Sequence, residues 1–193
     1  MAMLLEKHPF EPFLPENAHI LFLGSFPPQP HRWCMPFYYP NWINDFWRIM
    51  GLIHFNDKDH FCIPGEKRFD ETAIRSFCSA AGLAFYDTAC EVRRLKDNAS
   101  DAFLEIVTPT DIPSLLQRIP VCQTLVTTGQ KATEVIVQSF HCAIPPVGGD
   151  IDLAVNGRII RFYRMPSTSR AYPLPLQQKA EVYRKLFWTG DDL

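Results

Sequence analysis

Two polar loops, one near each end of the chain, carry the residue types best suited to binding a ligand. The early loop spans 24–28 and reads GSFPP, and the late loop spans 165–172 and reads MPSTSRAY. Each follows an apolar run, at 20–23 and at 159–163, that predicts a buried strand. Loops that leave the carboxyl ends of parallel strands meet over one crevice, which is where open α/β sheets bind ligands. The two loops therefore predict a single site.

The segment from 24 to 47 is rich in aromatic residues and prolines. Its aromatic side chains include Phe26, Trp33, Phe37, Tyr38, Tyr39 and Trp42, and five prolines lie among them. Proline stiffens a loop by fixing φ, and a flat aromatic face can stack on a nucleobase for roughly 1 to 3 kcal/mol. The same aromatics would also serve to pack the loop onto the core. Both interpretations, a rigid stacking pocket and a packed loop, remain open at this point.

Strand-like and helix-like segments alternate along the chain. Strands are predicted at 20–23, 83–86 and 124–128, with a hairpin of 152–155 and 158–163 around Asn156-Gly157. Helices are predicted at 43–53, 69–81, 109–118, 129–140 and 176–188. This alternation predicts the α/β class: a three-layer α/β/α fold with a short, mostly parallel central sheet.

Composition narrows the class of protein. The 193 residues are 47% hydrophobic and 21% charged, which fits one core, so we expect a single domain over 1–193. No apolar run reaches the roughly 18 to 20 residues that cross a bilayer, and the first residues lack a signal-peptide core. We expect a cytoplasmic monomer with no membrane partner.

Neither the cysteines nor the net charge indicates a specific ligand. The six cysteines are scattered without a C-x-x-C pair, so we expect buried free thiols and neither a metal nor a cofactor. The formal net charge of -2 gives no global attraction to nucleic acid, so such binding would depend on local basic patches. Candidates for such patches are Arg93, Arg94 and Lys96, and Arg158, Arg161 and Arg164.

An ordered set of motifs resembles the uracil-DNA glycosylase superfamily and is most similar to its hypoxanthine (deoxyinosine) branch. The first motif is LGSFP at 23–27, followed by YY at 38–39 and NDFWRIM at 44–50. Further matches are HPF at 8–10, GLAFYD at 82–87, RR at 93–94, TGQKA at 128–132 and MPSTS at 165–169. The resemblance covers nearly the whole chain, and the order of the motifs is more specific than any one of them.

The resemblance implies an enzyme that flips a damaged base out of double-stranded DNA and hydrolyses its N-glycosidic bond without a cofactor. It implies that Asn44 is catalytic, holding water through its amide oxygen or donating to the base through its nitrogen. Asn44 would also serve as a helix N-cap, and the two roles are compatible. Base-binding residues would be Gly24, Ser25, Phe26 and Tyr39. DNA-binding residues would be Ser167, Thr168, Ser169, Arg170 and Tyr172.

Three departures from the family pattern bear on the substrate. Pro28 lacks the N–H of the glycine that relatives often have there. Phe26 stands where mismatch-specific uracil glycosylases have a catalytic asparagine, and Met165 where uracil-specific ones have a catalytic histidine. Hypoxanthine is therefore the first base expected, with uracil or xanthine as other substrates. Two alternatives remain: a non-catalytic nucleic-acid binding module with the same fold, and a hydrolase of small nucleosides.

Overall fold

The computed structural model describes residues 4–95 and 103–187 of the chain. The strands are β1 Leu5–Lys7, β2 Ile20–Gly24, β3 Leu83–Asp87, β4 Ala89–Arg94, β5 Leu104–Pro109, β6 Thr124–Thr128, β7 Gly149–Val155 and β8 Arg158–Met165. The α-helices are α1 Phe46–Phe55, α2 Glu71–Ala80, α3 Ile112–Arg118, α4 Gln130–Phe140 and α5 Leu176–Arg184. A 3₁₀ turn, Pro30–Arg32, lies in the long loop between β2 and α1.

Five strands form the central sheet in the order β3-β2-β6-β8-β7. The first four are parallel, and β7 joins the edge antiparallel to β8. The predicted three-layer α/β/α fold with a mostly parallel sheet is confirmed. Strand β2 is buried along its length up to Leu23 because neighbouring strands and helices cover it, as is usual for parallel sheets. The carboxyl ends of β3, β2, β6 and β8 form one edge, from which the loops of the expected site emerge.

Local turn chemistry was predicted well. Asn156 and Gly157 both have positive φ, 51° and 75°, as a tight two-residue hairpin requires. Gly82 has a φ of +64° just beyond α2, which confirms its predicted role in ending that helix. The observed helices begin and end a few residues from the predicted positions. The helix expected over 43–53, for example, covers Phe46–Phe55. Trp188, the last residue of the predicted final helix, lies outside the described residues.

A second, antiparallel sheet of order β1-β4-β5 was not predicted. The helix predicted over 109–118 is present but begins only at Ile112, because Pro109 ends β5. The Asp111 side chain accepts a hydrogen bond from the Ser114 amide and so fixes the start of α3. The charged residues of β4 lie on its partly exposed positions, which weakens the apolar signal of a strand.

The main core lies around the central sheet and contains a dense group of aromatic rings. Phe85 of β3 packs against Phe22 of β2 and against Phe46 and Trp47 of α1. Most of α1 is buried, which fixes the residues just before it against the sheet edge. Within residues 4–95 and 103–187, no helix is both long enough and apolar enough to span a bilayer.

Candidate active site

The centre of the candidate site is the point where β2 and β3 end side by side. Gly24 and Asp87 are paired in register, and a Cβ added to Gly24 would lie 2.5 Å from Asp87 Oδ1. The same added Cβ would lie 3.9 Å from the Tyr39 hydroxyl. Glycine is required here for the close approach of the Asp87 carboxylate, whereas the Tyr39 hydroxyl is at ordinary contact distance. Gly24 is therefore bordered by one acidic and one aromatic side chain.

His8 holds the other oxygen of this carboxylate. Its Nε2 lies 2.7 Å from Asp87 Oδ2, and because a carboxylate only accepts, the ring nitrogen is the donor. The side chains of His8 and Asp87 are only 2% and 10% exposed. Among the described parts of the chain, no group donates a hydrogen bond to Asp87 Oδ1. A nearly buried carboxylate therefore keeps one acceptor oxygen for a ligand.

Sequence reasoning gave no role to His8 or Asp87. Both lie inside motifs that resemble those of the uracil-DNA glycosylase superfamily, HPF at 8–10 and GLAFYD at 82–87. An aspartate that ends an apolar strand was the available signal, because parallel strands end at the ligand edge of the sheet. The pairing with His8 was not visible, since 79 residues separate the two.

Tyr39 forms an aromatic wall of the site. Its ring stacks on Phe46 with centroids 4.0 Å apart and planes inclined by 4°. Its hydroxyl lies 2.7 Å from Thr128 Oγ1 at the end of β6, and its backbone has a φ of 52°, unusual for a non-glycine residue. Packing and backbone together fix the ring between two strand ends. Tyr39 thus lies beside Gly24, as the predicted base-binding set requires.

Asn44 accepts a hydrogen bond close to the start of the helix that follows it. The amide of Phe46 donates to its side-chain oxygen at 2.9 Å. The N-cap residue of α1 is Asp45, whose side chain makes no capping bond, so the prediction that Asn44 is the N-cap is wrong by one residue. Since a backbone N–H can bond only to an acceptor, the contact with Phe46 fixes which end of the Asn44 carboxamide is oxygen. The NH₂ end is then the donor that this bond leaves for a ligand.

The early and late segments are joined directly. Asn44 and Ser169 form an antiparallel bridge, and the Asp45 amide donates to the Thr168 carbonyl at 2.9 Å. The Lys179 ammonium of α5 donates to Asp45 Oδ2 at 3.0 Å and to the Ser169 carbonyl at 2.9 Å. Asn44 and the late loop are therefore brought together, as the sequence predicted for the two loops.

The other predicted base-binding residues lie in different surroundings. Ser25 is buried just beyond β2. Phe26 packs into a small second cluster with Ala89, Val92 and Leu104, and its ring lies against His8. Its side chain therefore supports His8 from the side of the second sheet, and its aromatic face is taken up by that packing.

The late loop presents only some of its predicted DNA-binding side chains. Ser169 and Arg170 are exposed, and Ser167 and Tyr172 are half-buried. Thr168 is 2% exposed, which corrects the expectation that its side chain reaches DNA. The Thr168 carbonyl instead fixes the loop by accepting a hydrogen bond from the Asp45 amide. The Ser167 and Ser169 hydroxyls accept from the amides of Ser169 and Ala171, which keeps the loop turned.

The two expected arginine patches are largely engaged within the protein. Three arginines form ion pairs: Arg93 with Glu105, Arg94 with Glu6, and Arg161 with Asp150 and Asp152. Two arginines donate to carbonyl oxygens: Arg158 to that of Leu116 and Arg164 to that of Pro145. Lys96 lies outside the described residues. Arg93, Arg94 and Arg161 are therefore paired with carboxylates, whereas Arg158 and Arg164, in the part of the chain that the structure describes, contact only carbonyl oxygens and keep their net charge.

The cysteines are buried or half-buried free thiols, as expected. Burial raises the pKa of Cys122 to about 11 and also raises that of Cys78, so neither thiol is a ready nucleophile. Within the described ranges, no group of three His, Cys, Asp or Glu side chains is placed to hold a metal ion.

The fold is that of an α/β protein, and the candidate site lies at the carboxyl ends of its parallel strands. Protein-family models give no match to the chain, and curated protein sequences give none. A similar solved structure is the solution NMR structure of a Methanosarcina acetivorans protein named a "putative uracil DNA glycosylase". The TM-score is 0.63 at 19% sequence identity, and the match covers 95% of this chain and 99% of that one. At this identity, the likeness shows that the two proteins share a fold.

Proposed function

We propose that the protein is a DNA glycosylase of the uracil-DNA glycosylase superfamily. It would hydrolyse the N-glycosidic bond of a deaminated base flipped from duplex DNA, with hypoxanthine as the preferred base. The observation that carries this proposal is the Asp87 carboxylate, which His8 holds at one oxygen while the other lies over Gly24 at the ends of the parallel strands. The shared fold and the ordered motifs support it.

Deamination changes the hydrogen-bonding edge that such a carboxylate detects. Adenine N1 is an acceptor, and deamination to hypoxanthine turns it into an N–H donor. Cytosine N3 changes in the same way when uracil forms. A carboxylate only accepts, so it binds the donor and repels the lone pair of the normal base. Asp87 therefore favours a deaminated base over adenine or cytosine.

The same acceptor favours hypoxanthine over uracil. In uracil, the N3–H lies between two carbonyl oxygens, and both are repelled by a carboxylate that approaches the N–H. In hypoxanthine, the N1–H has a carbonyl on one side and a C–H on the other, so the repulsion is smaller. Guanine also carries an N1–H, and its exclusion would rest on the higher cost of flipping a correctly paired base.

Bond cleavage would use groups already fixed in the site. Water adds to C1′ of the sugar as the bond from C1′ to the base nitrogen breaks, and the base leaves with the electron pair. The Asn44 NH₂ would donate to the departing base and stabilise its negative charge. Tyr39, held on Phe46, would orient the base plane. A water proton is released to solvent or to the leaving base.

Excision assays on defined duplexes test this proposal. Duplexes that each carry one hypoxanthine, uracil, xanthine or G·T mismatch are incubated with the protein, and abasic sites are then cleaved. The wild-type protein should release hypoxanthine fastest. Asp87→Asn replaces one acceptor oxygen with a donor, so hypoxanthine release should fall about 10- to 100-fold. Asp111→Asn, which changes an exposed helix cap, is the matched control and should retain activity.

Each other outcome has a definite meaning. Duplex binding without release of any base would contradict an enzyme and favour a non-catalytic binding module. Release from free deoxyinosine but not from the duplex would favour a nucleoside hydrolase. Equal hypoxanthine release by the wild type and Asp87→Asn would show that Asp87 does not recognise the base.

A further inference from the structure

A charged cleft lies between the start of α1 and the segment that leads from the late loop into α5. Its volume is about 410 Å³. Three cationic side chains line it, Arg48, Lys58 and Arg170, together with one carboxylate, Asp45. None of these cations belongs to the two arginine patches suggested by the sequence.

The one carboxylate of the cleft is already neutralised from within the protein. Lys179 is 1% exposed and donates to Asp45 Oδ2 at 3.0 Å. Arg170 approaches the other oxygen, Oδ1, only at 3.4 Å through two nitrogens, and its side chain is 51% exposed. Asp45 therefore has two cations for one negative charge. The guanidinium of Arg170 is the outer and longer contact, so it is available to an anion from solvent.

The remaining charged side chains of the cleft add to its excess of positive charge. Arg48 donates to the carbonyl oxygens of Trp42 and Asn44, at 2.8 and 3.2 Å, and neither of these groups carries net charge. No carboxylate among the described residues forms an ion pair with Arg48. Lys58 is matched by its neighbour Asp59. Two positive charges are thus uncompensated in a concave site, where low-dielectric walls strengthen their field.

We propose that this cleft binds a phosphodiester group of the DNA strand that carries the flipped nucleotide. The inference rests on the proposed function, because it takes duplex DNA as the ligand. Arg170 and Lys58 would contact the phosphate oxygens, and the buried Arg48 would add charge from behind. The apolar wall formed by Leu174 and Pro175 would cover the adjoining deoxyribose.

The position of the cleft supports this choice of ligand. Asp45 directly follows Asn44, and Arg170 directly follows Ser169, the backbone partner of Asn44. An anion in the cleft is therefore close to the residue proposed to act on the glycosidic bond. Contacts to phosphate position a protein on DNA and carry no sequence information. The cleft would hold the strand next to the flipped nucleotide, whichever base is removed.

The test measures how salt weakens DNA binding. Fluorescence anisotropy gives the affinity for an undamaged duplex, and for the same duplex with one hypoxanthine, over a series of NaCl concentrations. Removal of one cation that binds a phosphate lowers the steepness of log K against log salt by about 0.9. We expect that decrease for Lys58→Gln and for Arg170→Gln on both duplexes, and about twice that decrease for the double variant.

Arg161→Gln is the matched control. Arg161 is also 51% exposed and also pairs with carboxylates, Asp150 and Asp152, but it lies on the β7–β8 hairpin and does not line the cleft. Its removal changes the net charge by the same amount and should leave the slope unchanged. Thermal unfolding of all variants checks that they are folded.

Slopes for Lys58→Gln and Arg170→Gln equal to that of Arg161→Gln would overturn the phosphate site. A decrease confined to the hypoxanthine duplex would also overturn it, since a phosphate contact acts on both duplexes. The excision assay reports separately on the proposed function. Lower slopes for the two variants, without any excision by the wild type, would support the phosphate site and contradict the proposed glycosylase activity.

Discussion

The Lys179 ammonium lies 3.0 Å from the Asp45 carboxylate in the interior of the protein. One side chain belongs to α5, and the other directly precedes α1. The same ammonium bonds the Ser169 carbonyl of the late loop at 2.9 Å. A single buried cation thus connects the last described helix, the residue after Asn44 and the loop expected to contact DNA. This connection fixes the spacing between the two halves of the site.

Replacement of Lys179 by methionine should strongly destabilise the protein. Loss of the ammonium leaves Asp45 with only its outer contact to Arg170, and removal of one partner of a buried ion pair costs about 3 to 5 kcal/mol. Urea unfolding measures the change. Tyr183→Phe is the control from the same helix: it removes one neutral hydrogen bond to Pro166 O and should cost about 1 kcal/mol. The double variant Asp45→Asn, Lys179→Met should lose less than the sum of the two single changes. A strictly additive result would show that the pair is not coupled.

Asn44→Ser should separate the structural hydrogen bond of Asn44 from its proposed donor role. A serine hydroxyl can accept from the backbone amide two residues on, as the Asn44 oxygen does from Phe46, so the free energy of unfolding should change by less than about 1 kcal/mol. Serine has no NH₂ group to donate to the departing base, so single-turnover release of hypoxanthine should fall about 10²- to 10³-fold. Loss of stability in proportion to loss of activity would instead assign Asn44 to the structural bond alone.

Gly24→Ala should impair the site by displacing Asp87. The added Cβ would meet Asp87 Oδ1 at 2.5 Å, and the carboxylate is held in place by His8. Overpacking of this kind typically costs about 1 to 3 kcal/mol, and base release should fall as much as in Asp87→Asn. In Gly51→Ala the added Cβ instead meets the Asp57 carbonyl, away from the carboxylate. That control should lose stability while its folded fraction retains activity. Full activity in Gly24→Ala would contradict the close approach of Asp87.

Alkaline pH should destabilise the protein through its buried tyrosines. Burial raises the pKa of Tyr38, Tyr86 and Tyr183 above the ordinary value of 10.0. Above pH ~10 the unfolded chain releases these protons while the folded state retains them, so stability falls as pH rises. Each fully protected tyrosine contributes a slope of about 1.4 kcal/mol per pH unit. Urea unfolding from pH ~9 to ~11 should show a shallower fall for Tyr183→Phe than for the wild type. Parallel curves would show that Tyr183 ionises normally.

Several features of the protein were predictable from the sequence because they depend on nearby residues. Strands such as Ile20–Gly24 follow from a short apolar run, and the hairpin follows from Asn156-Gly157. The start of α1 was predicted to within a few residues from the apolar helix pattern, although Asp45, and not Asn44, is its N-cap. The meeting of the early and late segments beside the ends of parallel strands also followed, because sheet topology limits where loops can meet.

Other features were decided only by the tertiary structure. The sequence motif predicted that Phe26 binds the base. In the structure its ring packs against the second sheet, in a separate hydrophobic cluster. Three arginines of the expected patches, Arg93, Arg94 and Arg161, form ion pairs with carboxylates that the fold brings near. His8 and Asp87 are 79 residues apart, and Asp45 and Lys179 are 134 apart. Local propensity and periodicity carry no information about such pairs, because strand order and helix docking determine which distant side chains meet. The sequence by itself therefore determined the class of fold and the edge that holds the site, and tertiary packing decided which charges the site contains.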